Sequence, residues 1–428
     1  MKIPSVKGFH DVLPDESARW AGLEGHAREV FAQYNFHEIR LPIVERAELF
    51  QRAVGETTDI VEKEMYAFTD RDGTALTLRP EGTASVVRAY VEHALHAQEP
   101  VSKLYYFGPM FRRERPQKGR LRQFSQIGAE LIGRDDPAAD AEILLLLYDL
   151  LTEFGIANAE VLVNSLGDDT CRPAYRAALI AWGRAHQAEL CDECGRRLEQ
   201  NPLRLLDCKQ PGCVAIRQTA PRMVDHACAD CRAHFERVRE LLAAAGVEPR
   251  LQPYMVRGLD YYVRTAFEVV APGLGAQNAI GGGGRYDGLV RDLGGPDVAG
   301  VGFALGVERL AMVLGAAGDA PRPEFVVAPL GAEAERAALS LAHRLRRGGV
   351  RVDVEPGGRS LKSQMRHAGK LGARYVIIVG DDELASGTLT VRDMEAKRDR
   401  PLGVTLRATA TELRAALAAA DDPLERHA

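Results

Sequence analysis

Arg112-Arg113-Glu114-Arg115-Pro116-Gln117-Lys118-Gly119-Arg120-Leu121-Arg122 is the stretch on which the reading of this 428-residue chain turns. Six of these residues are basic and one is acidic, whereas the whole chain has a formal net charge of −5. Like charges this close repel, so the stretch calls for an anionic partner, and phosphate is the obvious one. It lies between Lys103-Leu-Tyr-Tyr-Phe107 and Arg122-Gln-Phe-Ser-Gln-Ile-Gly-Ala-Glu130. Aromatic and β-branched runs bounded by Pro and Gly read as strand, loop, strand. The expectation is a hairpin whose tip and inner strands present guanidinium groups.

Working outward, residues 1 to about 165 mix strands and helices. Ala141 to Phe154 is almost wholly apolar and reads as a buried helix stopped at Gly155. From about 168 to 250 the texture becomes rich in Arg, Ala and Glu, and all seven cysteines lie there. This reads as a mostly helical insertion. Strand signals return in Tyr261 to Val270. Four consecutive glycines, 281–284, then permit close backbone approach. Val301 to Ala304 leads into a helix expected from Leu305 to about Leu314.

Gly315 to Pro323 is a linker by composition. Beyond it, Phe325–Ala328, Val350–Val354 and Tyr375–Val379 read as strands, alternating with helices over 333–347 and 359–371. That is a small α/β domain. On its second helix, Arg359, Lys362, Arg366 and Lys370 recur at steps of three and four, opposite an apolar face of Leu361, Met365, Ala368 and Leu371.

Bulk properties exclude several classes. A content of 46% hydrophobic and 27% charged residues is ordinary for a soluble protein. The N-terminus lacks a signal-peptide apolar core, and the longest apolar run is too short for a membrane span. A cytoplasmic location without membrane association follows as the expectation. In that setting cysteines serve as thiols or metal ligands rather than disulfides. Cys191-x-x-Cys194 and Cys228-x-x-Cys231 have the spacing of one structural zinc site, although their separation exceeds that of a compact ribbon. No Ser-His-Asp or Cys-His constellation emerges.

Four motifs together resemble a known family. Phe111 to Arg120, followed by Arg122-Gln123-Phe124, resembles the second signature motif of class II aminoacyl-tRNA synthetases. Gly302 to Leu310 resembles the third, and Pro42 is similar to the first motif's proline. Arg257-Gly-Leu-Asp-Tyr-Tyr262 and Gly282-Gly-Gly-Arg-Tyr-Asp-Gly-Leu289 are similar to the two signatures of histidyl-tRNA synthetases. The resemblance spans nearly the whole chain.

It implies a class II catalytic domain, an antiparallel sheet flanked by helices, from residues 1–167 and 251–318. Residues 168–250 would be the insertion and 323–428 an anticodon-binding α/β domain. It also implies ATP-dependent activation of L-histidine to histidyl-adenylate and transfer to the 3′ end of tRNA(His), by a homodimer. Mg²⁺ would accompany ATP as substrate, with no prosthetic group. The family is not known as a zinc family, so no metal is assigned to Cys191, Cys194, Cys228 and Cys231.

The same resemblance implies residue roles. Arg112 and Arg257 would bracket the α-phosphate as catalytic residues, and Arg112, Glu114 and Arg309 would bind ATP. Glu81, Gly82, Thr83 and Gln126 would receive the α-ammonium group of histidine. Glu130 and Tyr262, with Tyr261, would read the imidazole. A carboxylate and a phenol satisfy its donor and acceptor, and such a site rejects apolar side chains by roughly 10⁴–10⁵, so no editing is expected. Arg115, Gln117, Lys118 and Arg122 would meet the acceptor end of the tRNA, and the basic helix face the anticodon. Two alternatives stand beside this reading. One is a catalytically inactive paralogue acting as a regulatory subunit in histidine biosynthesis. The other is a zinc-stabilised RNA-binding protein without catalysis.

Overall fold

The computed structural model describes residues 3–55, 58–156, 158–275, 278–315 and 322–421. The chain divides into two compact units, Met1–Gly318 and Asp319–Ala428. Most of the linker read at 315–323 lies outside the described residues.

An eight-stranded sheet organises the first unit. Its order is His37–Glu38, Ser102–Phe111, Gln123–Ile132, Gly300–Gly306, Ala279–Arg285, Val263–Val270, Glu160–Ser165, Arg250–Leu251. The six central strands are antiparallel, and the short edge strands His37–Glu38 and Arg250–Leu251 pair parallel. The expected architecture holds, with parallel edges added.

Alternation along the strands divides the sheet into two chemically different faces. Ile127, Ala129 and Leu131 point to one side with Phe303, Leu305, Phe267 and Val269. There they meet Ala27, Val30 and Phe31 of the helix Pro14–Gln33 and the leucines of the helix Pro137–Glu153. The latter helix starts at Asp136, whose side chain accepts from the Ala138 amide at 3.0 Å, with Pro137 following. An N-cap of this kind contributes about 1 kcal/mol. Gln126, Gly128 and Glu130 take the other side, in register with Gly306, Ala304 and Gly302. Small and polar residues on that face cannot fill a core, so they leave room for a site.

The hairpin strands are longer than the sequence reading allowed. They pair from Ser102↔Ile132 to Phe111↔Gln123. Arg122 therefore stands where the loop rejoins the second strand, not out on the loop; the Arg112 amide donates to its carbonyl at 2.9 Å. The strand Gly300–Gly306 likewise runs past the expected start of the helix, which spans Val307–Leu314, because Leu305 pairs with both Ile127 and Gly281. Tyr261 and Tyr262 precede the strand Val263–Val270 rather than opening it.

Residues between the strands Glu160–Ser165 and Arg250–Leu251 are mostly helical. Their last helix, Ala229–Ala244, sends Phe235, Val238 and Leu242 into the main core. The two Cys-x-x-Cys pairs do not meet in one site. Cys191 and Cys194 gather with Cys208 and Cys213, while Cys228 and Cys231 gather with Cys171 and Asp168. The pairs sit at the starts of two different helices, Asp192–Gln200 and Ala229–Ala244, and Cys194 and Cys231 bury in separate small cores.

In the second unit, five strands are ordered Val352–Val354, Phe325–Pro329, Tyr375–Val379, Thr388–Asp393, Arg398–Thr405. The first three are parallel, and the last two add an antiparallel edge that the sequence reading missed. Pro401 and alternating charges mask the edge strand, as edges require. The helix Leu361–Lys370 starts at Ser360, so Arg359 precedes it. Leu361, Met365, Ala368 and Leu371 pack on Val326, Ala328 and Val376. Arg359, Lys362, Arg366 and Lys370 are all exposed.

Candidate active site

The polar sheet face opens into a cavity of about 230 Å³. Glu81, Thr83, Arg112, Glu114, Gln126, Arg257, Tyr261, Tyr262 and Arg309 all line it. These residues come from the hairpin, the 257–262 loop, the start of the helix Thr83–Glu92 and the helix Val307–Leu314. Arg115, Gln117 and Lys118 are exposed on the hairpin loop and do not line the cavity.

Arg112 and Arg257, distant in the sequence, open on this one space. Arg112 Nε donates to the Pro80 carbonyl at 2.9 Å, and its guanidinium lies 5.2 Å from the centre of the Phe124 ring. Arg257 Nη1 is 3.3 Å from Glu268 Oε1, and its guanidinium lies 5.7 Å from the centre of the Tyr262 ring. A Cβ on Gly282 would stand 2.7 Å from Arg257 Nη1 and 2.6 Å from the Phe267 carbonyl, so only glycine admits this guanidinium. Among the described residues, Arg257 Nε and Gln126 Oε1 are buried without a hydrogen-bond partner. An orphaned donor and acceptor in a cavity wall fit an occupant that satisfies them.

Arg309 is fixed from two sides. Its Nε donates to the Gly119 carbonyl at 2.9 Å and its Nη1 to that of Ala279. Burial, then the neighbouring Arg120 guanidinium, pushes its pKa below the ordinary arginine value. Arg120 itself lines the cavity and pairs with Glu114 at 2.8 Å. Four guanidiniums thus surround one space, and a polyanion relieves their mutual repulsion.

Carboxyl groups define the other part. Glu81 accepts from the Thr83 amide at 2.7 Å and the Ala84 amide at 2.9 Å, and the Tyr261 hydroxyl donates to it at 3.4 Å. Burial still raises its pKa. Glu130 is fully buried one layer beneath the cavity wall. Its oxygens accept from the Thr83 hydroxyl at 2.7 Å and the Tyr286 hydroxyl at 2.6 Å. Burial pushes its pKa up to about 8, against the lowering effect of those two hydroxyls. Gly82 leads into the helix Thr83–Glu92.

The sequence reading did not single out Tyr286, Glu268, Arg120 or Glu308. Tyr286 sits inside the quoted 282–289 signature, and Glu268 is the lone acid in the strand Val263–Val270, which are the signals that mark them. Glu308 accepts from the Ser125 amide through both oxygens, at 2.9 and 3.0 Å. Arg285 of the same signature faces away from this site. It is fully buried on Asp140, which also meets His234 Nε2 at 2.7 Å.

Comparisons with known proteins agree with this geometry. Residues 8–310 match the family described as Histidyl-tRNA synthetase, and residues 324–416 match Anticodon binding domain. A protein of Trichlorobacter lovleyi named histidine–tRNA ligase is 54% identical over 402 residues, covering 94% of this chain and 96% of that one. One of Geobacter metallireducens with the same name is 53% identical, covering 92% and 95%. The crystal structure of apo S. aureus histidyl-tRNA synthetase superposes with a TM-score of 0.77 at 36% identity, covering 95% of this chain and 97% of that one. The chain belongs to the histidyl-tRNA synthetase family.

Proposed function

We infer that this enzyme is a histidine–tRNA ligase. It activates L-histidine with ATP and transfers the acyl group to tRNA(His). The observation that carries the reading is the convergence of Arg112 and Arg257 on a cavity that also holds Glu81, Thr83 and the tyrosine pair. Relatives more than half identical over nearly their full length bear the name histidine–tRNA ligase.

Adenylate formation needs no protein nucleophile. The carboxylate of histidine attacks the α-phosphorus, a new O–P bond forms, and pyrophosphate leaves with the electrons of the broken P–O bond. Negative charge accumulates on the α-phosphoryl oxygens. Arg112 and Arg257 supply fixed donors there, and each such donor is worth about 10²–10³ in rate. Glu114 and Arg309 bind the rest of ATP, which enters with Mg²⁺ as the substrate complex. In the second step the terminal ribose 3′ hydroxyl attacks the acyl carbon, and AMP leaves.

Histidine recognition follows from the acids. Glu81, Gly82, Thr83 and Gln126 receive the α-ammonium group; the partnerless Gln126 Oε1 is an acceptor ready for it. Tyr261, Tyr262 and Glu130 read the imidazole. A carboxyl poised near pH 8 gains its charge when a donor N–H approaches. Arg115, Gln117, Lys118 and Arg122 serve the acceptor end of the tRNA. Arg359, Lys362, Arg366 and Lys370 serve the anticodon, supported by their shared exposure in the matched anticodon-binding segment. We assign the 168–250 segment to an insertion in a catalytic domain of 1–167 and 251–318.

The enzyme works as a homodimer in the cytoplasm. Ile43 and Val44, which follow the first-motif proline, and Phe68 of the same small sheet are exposed large apolar residues that a second copy would cover. Among the described residues no helix is long and apolar enough to cross a membrane. The inactive-paralogue alternative is disfavoured, because Arg112, Arg257 and Glu81 all occupy the cavity and a second unit is present. Histidine-dependent ATP–pyrophosphate exchange, followed by charging of tRNA(His), is the test. Absence of exchange from folded protein would overturn the reading.

A further inference from the structure

Seven cysteines in one stretch of 61 residues, from Cys171 to Cys231, have no part in adenylate chemistry, and all are free. They sort into two sets. In the first, one ligand atom from each of Cys191, Cys194, Cys208 and Cys213 lies within 4.8 Å of every other. In the second, the same holds for Asp168, Cys171, Cys228 and Cys231. We propose that each set binds one structural zinc ion, and that the two ions hold the loop carrying Arg257 and Tyr262 in place.

The distances suit a tetrahedron. A Zn–S bond of about 2.3 Å places sulfurs roughly 3.8 Å apart along each edge. Cys191 Sγ and Cys208 Sγ are 3.8 Å apart. Cys171 Sγ and Cys231 Sγ are 3.9 Å apart, as are Cys228 Sγ and Asp168 Oδ1. Disulfide sulfurs would be about 2.05 Å apart.

The surroundings suit metal-bound thiolates. Backbone amides donate to sulfur in both sets: Cys191 N to Cys213 Sγ at 3.3 Å, and Asp168 N to Cys171 Sγ at 3.3 Å. Such bonds orient ligands and delocalise thiolate charge. Around the four-cysteine set, Leu198 and Leu205 are buried beside the thiols, with Trp182 and Leu190 partly buried against them. So small an apolar cluster does not stabilise three short helical turns, which is the deficit a metal fills. All four ligands in each set come from the protein, leaving no open position for catalysis.

Two arginines link these sets to the catalytic loop. Arg204 lies between Leu198 and Cys208, and its Nη2 donates to the Gly258 carbonyl at 3.1 Å. Arg172 follows Cys171, and it donates to the carbonyls of Leu166, at 3.1 Å, and Tyr262. Each metal knuckle thereby fixes one end of the Arg257–Tyr262 segment.

The experiment is elemental analysis of full-length protein purified under reduction without chelator. About two zinc ions per chain are expected. Cys213→Ser should lose one ion and keep the other, and Cys228→Ser should do the reverse. A zinc content that Cys213→Ser leaves equal to that of wild type overturns the four-cysteine site; one that Cys228→Ser leaves unchanged overturns the Asp168 site. Should either variant fold poorly, wild-type protein loaded with Co²⁺ serves instead. Strong visible absorption of tetrahedral cobalt thiolate supports the proposal. Protein that carries no zinc, and takes up neither Zn²⁺ nor Co²⁺ with its thiols reduced, overturns it entirely.

Discussion

A Cβ on Gly302 would stand 1.9 Å from Glu130 Oε2 and 2.5 Å from the Ala129 carbonyl. The two residues face each other across paired strands, in direct register. The buried carboxyl therefore owes its position to the absence of one methyl group on the neighbouring strand. Gly302→Ala should displace Glu130 and lower kcat/KM for histidine by about 10²-fold or more. It should also destabilise the fold by about 1–3 kcal/mol through overpacking. Exchange kinetics at varied histidine, with a parallel denaturant melt, measure both. Wild-type kinetics in the variant would show that Glu130 does not read the substrate.

Arg257 is held by Glu268 and by the Tyr262 ring, and it shares the cavity with Arg112. Arg257→Lys keeps the charge but loses the planar fork. The expected result is a fall in kcat of about 10²-fold or more, with KM for ATP changing far less, because the interaction strengthens in the transition state. Single-turnover adenylate formation isolates the step. A change confined to KM would assign Arg257 to ground-state binding alone.

Glu130 also gives a pH signature. Its folded pKa, about 8, lies above the ordinary carboxyl value of 4.5 because it is buried. Between those pH values the native state holds the proton and the unfolded state does not. Stability from this group is therefore full below about pH 4.5 and declines as pH rises toward 8. Glu130→Gln removes the dependence, so the variant should gain on wild type by a few kcal/mol, as an order of magnitude, between pH 5 and 8. Thermal melts across that range decide it. A constant difference in Tm would mean the carboxyl is already ionised in the free enzyme.

Asp140 ties three elements together: its own helix Pro137–Glu153, the strand that ends at Arg285, and the helix carrying His234. Burial raises its pKa, but His234 and then Arg285 outweigh that and hold it below the ordinary carboxylate value. Asp140→Ala leaves the fully buried Arg285 guanidinium without that partner, which should cost about 3–5 kcal/mol. Urea titration measures it. A loss under about 1 kcal/mol would show that Asp287, 3.0 Å from Arg285 Nη1, and the Arg134 and Asp136 carbonyls compensate.

The exposed face of Lys362 and Arg366 is suited to phosphate. Reversing both charges should raise KM for tRNA about tenfold and flatten its dependence on salt, since each lost phosphate contact lowers the slope by roughly 0.9. Charging kinetics between low and moderate salt test this. An unchanged slope would move the tRNA contact to another surface.

Much of this was legible in the sequence because it depended on local pattern. The strand–loop–strand around Arg112, the helix that buries Leu144 and Leu147, and the two-faced helix after Ser360 follow from the periodicity of apolar residues along single elements. The candidate site was legible by another route, through the resemblance of the motifs around Arg112, Arg257 and Arg309 to a known family. Partnerships across the chain were not legible. Nothing local says that Glu130 takes a hydroxyl from Tyr286, that Cys191 and Cys194 close with Cys208 and Cys213 rather than with Cys228 and Cys231, or that Arg285 is buried on Asp140 and His234. Those choices depend on strand register and helix packing between residues up to 156 positions apart in the sequence, as for Glu130 and Tyr286. Periodicity tells each residue which face to take; only the assembled sheet decides which face it meets.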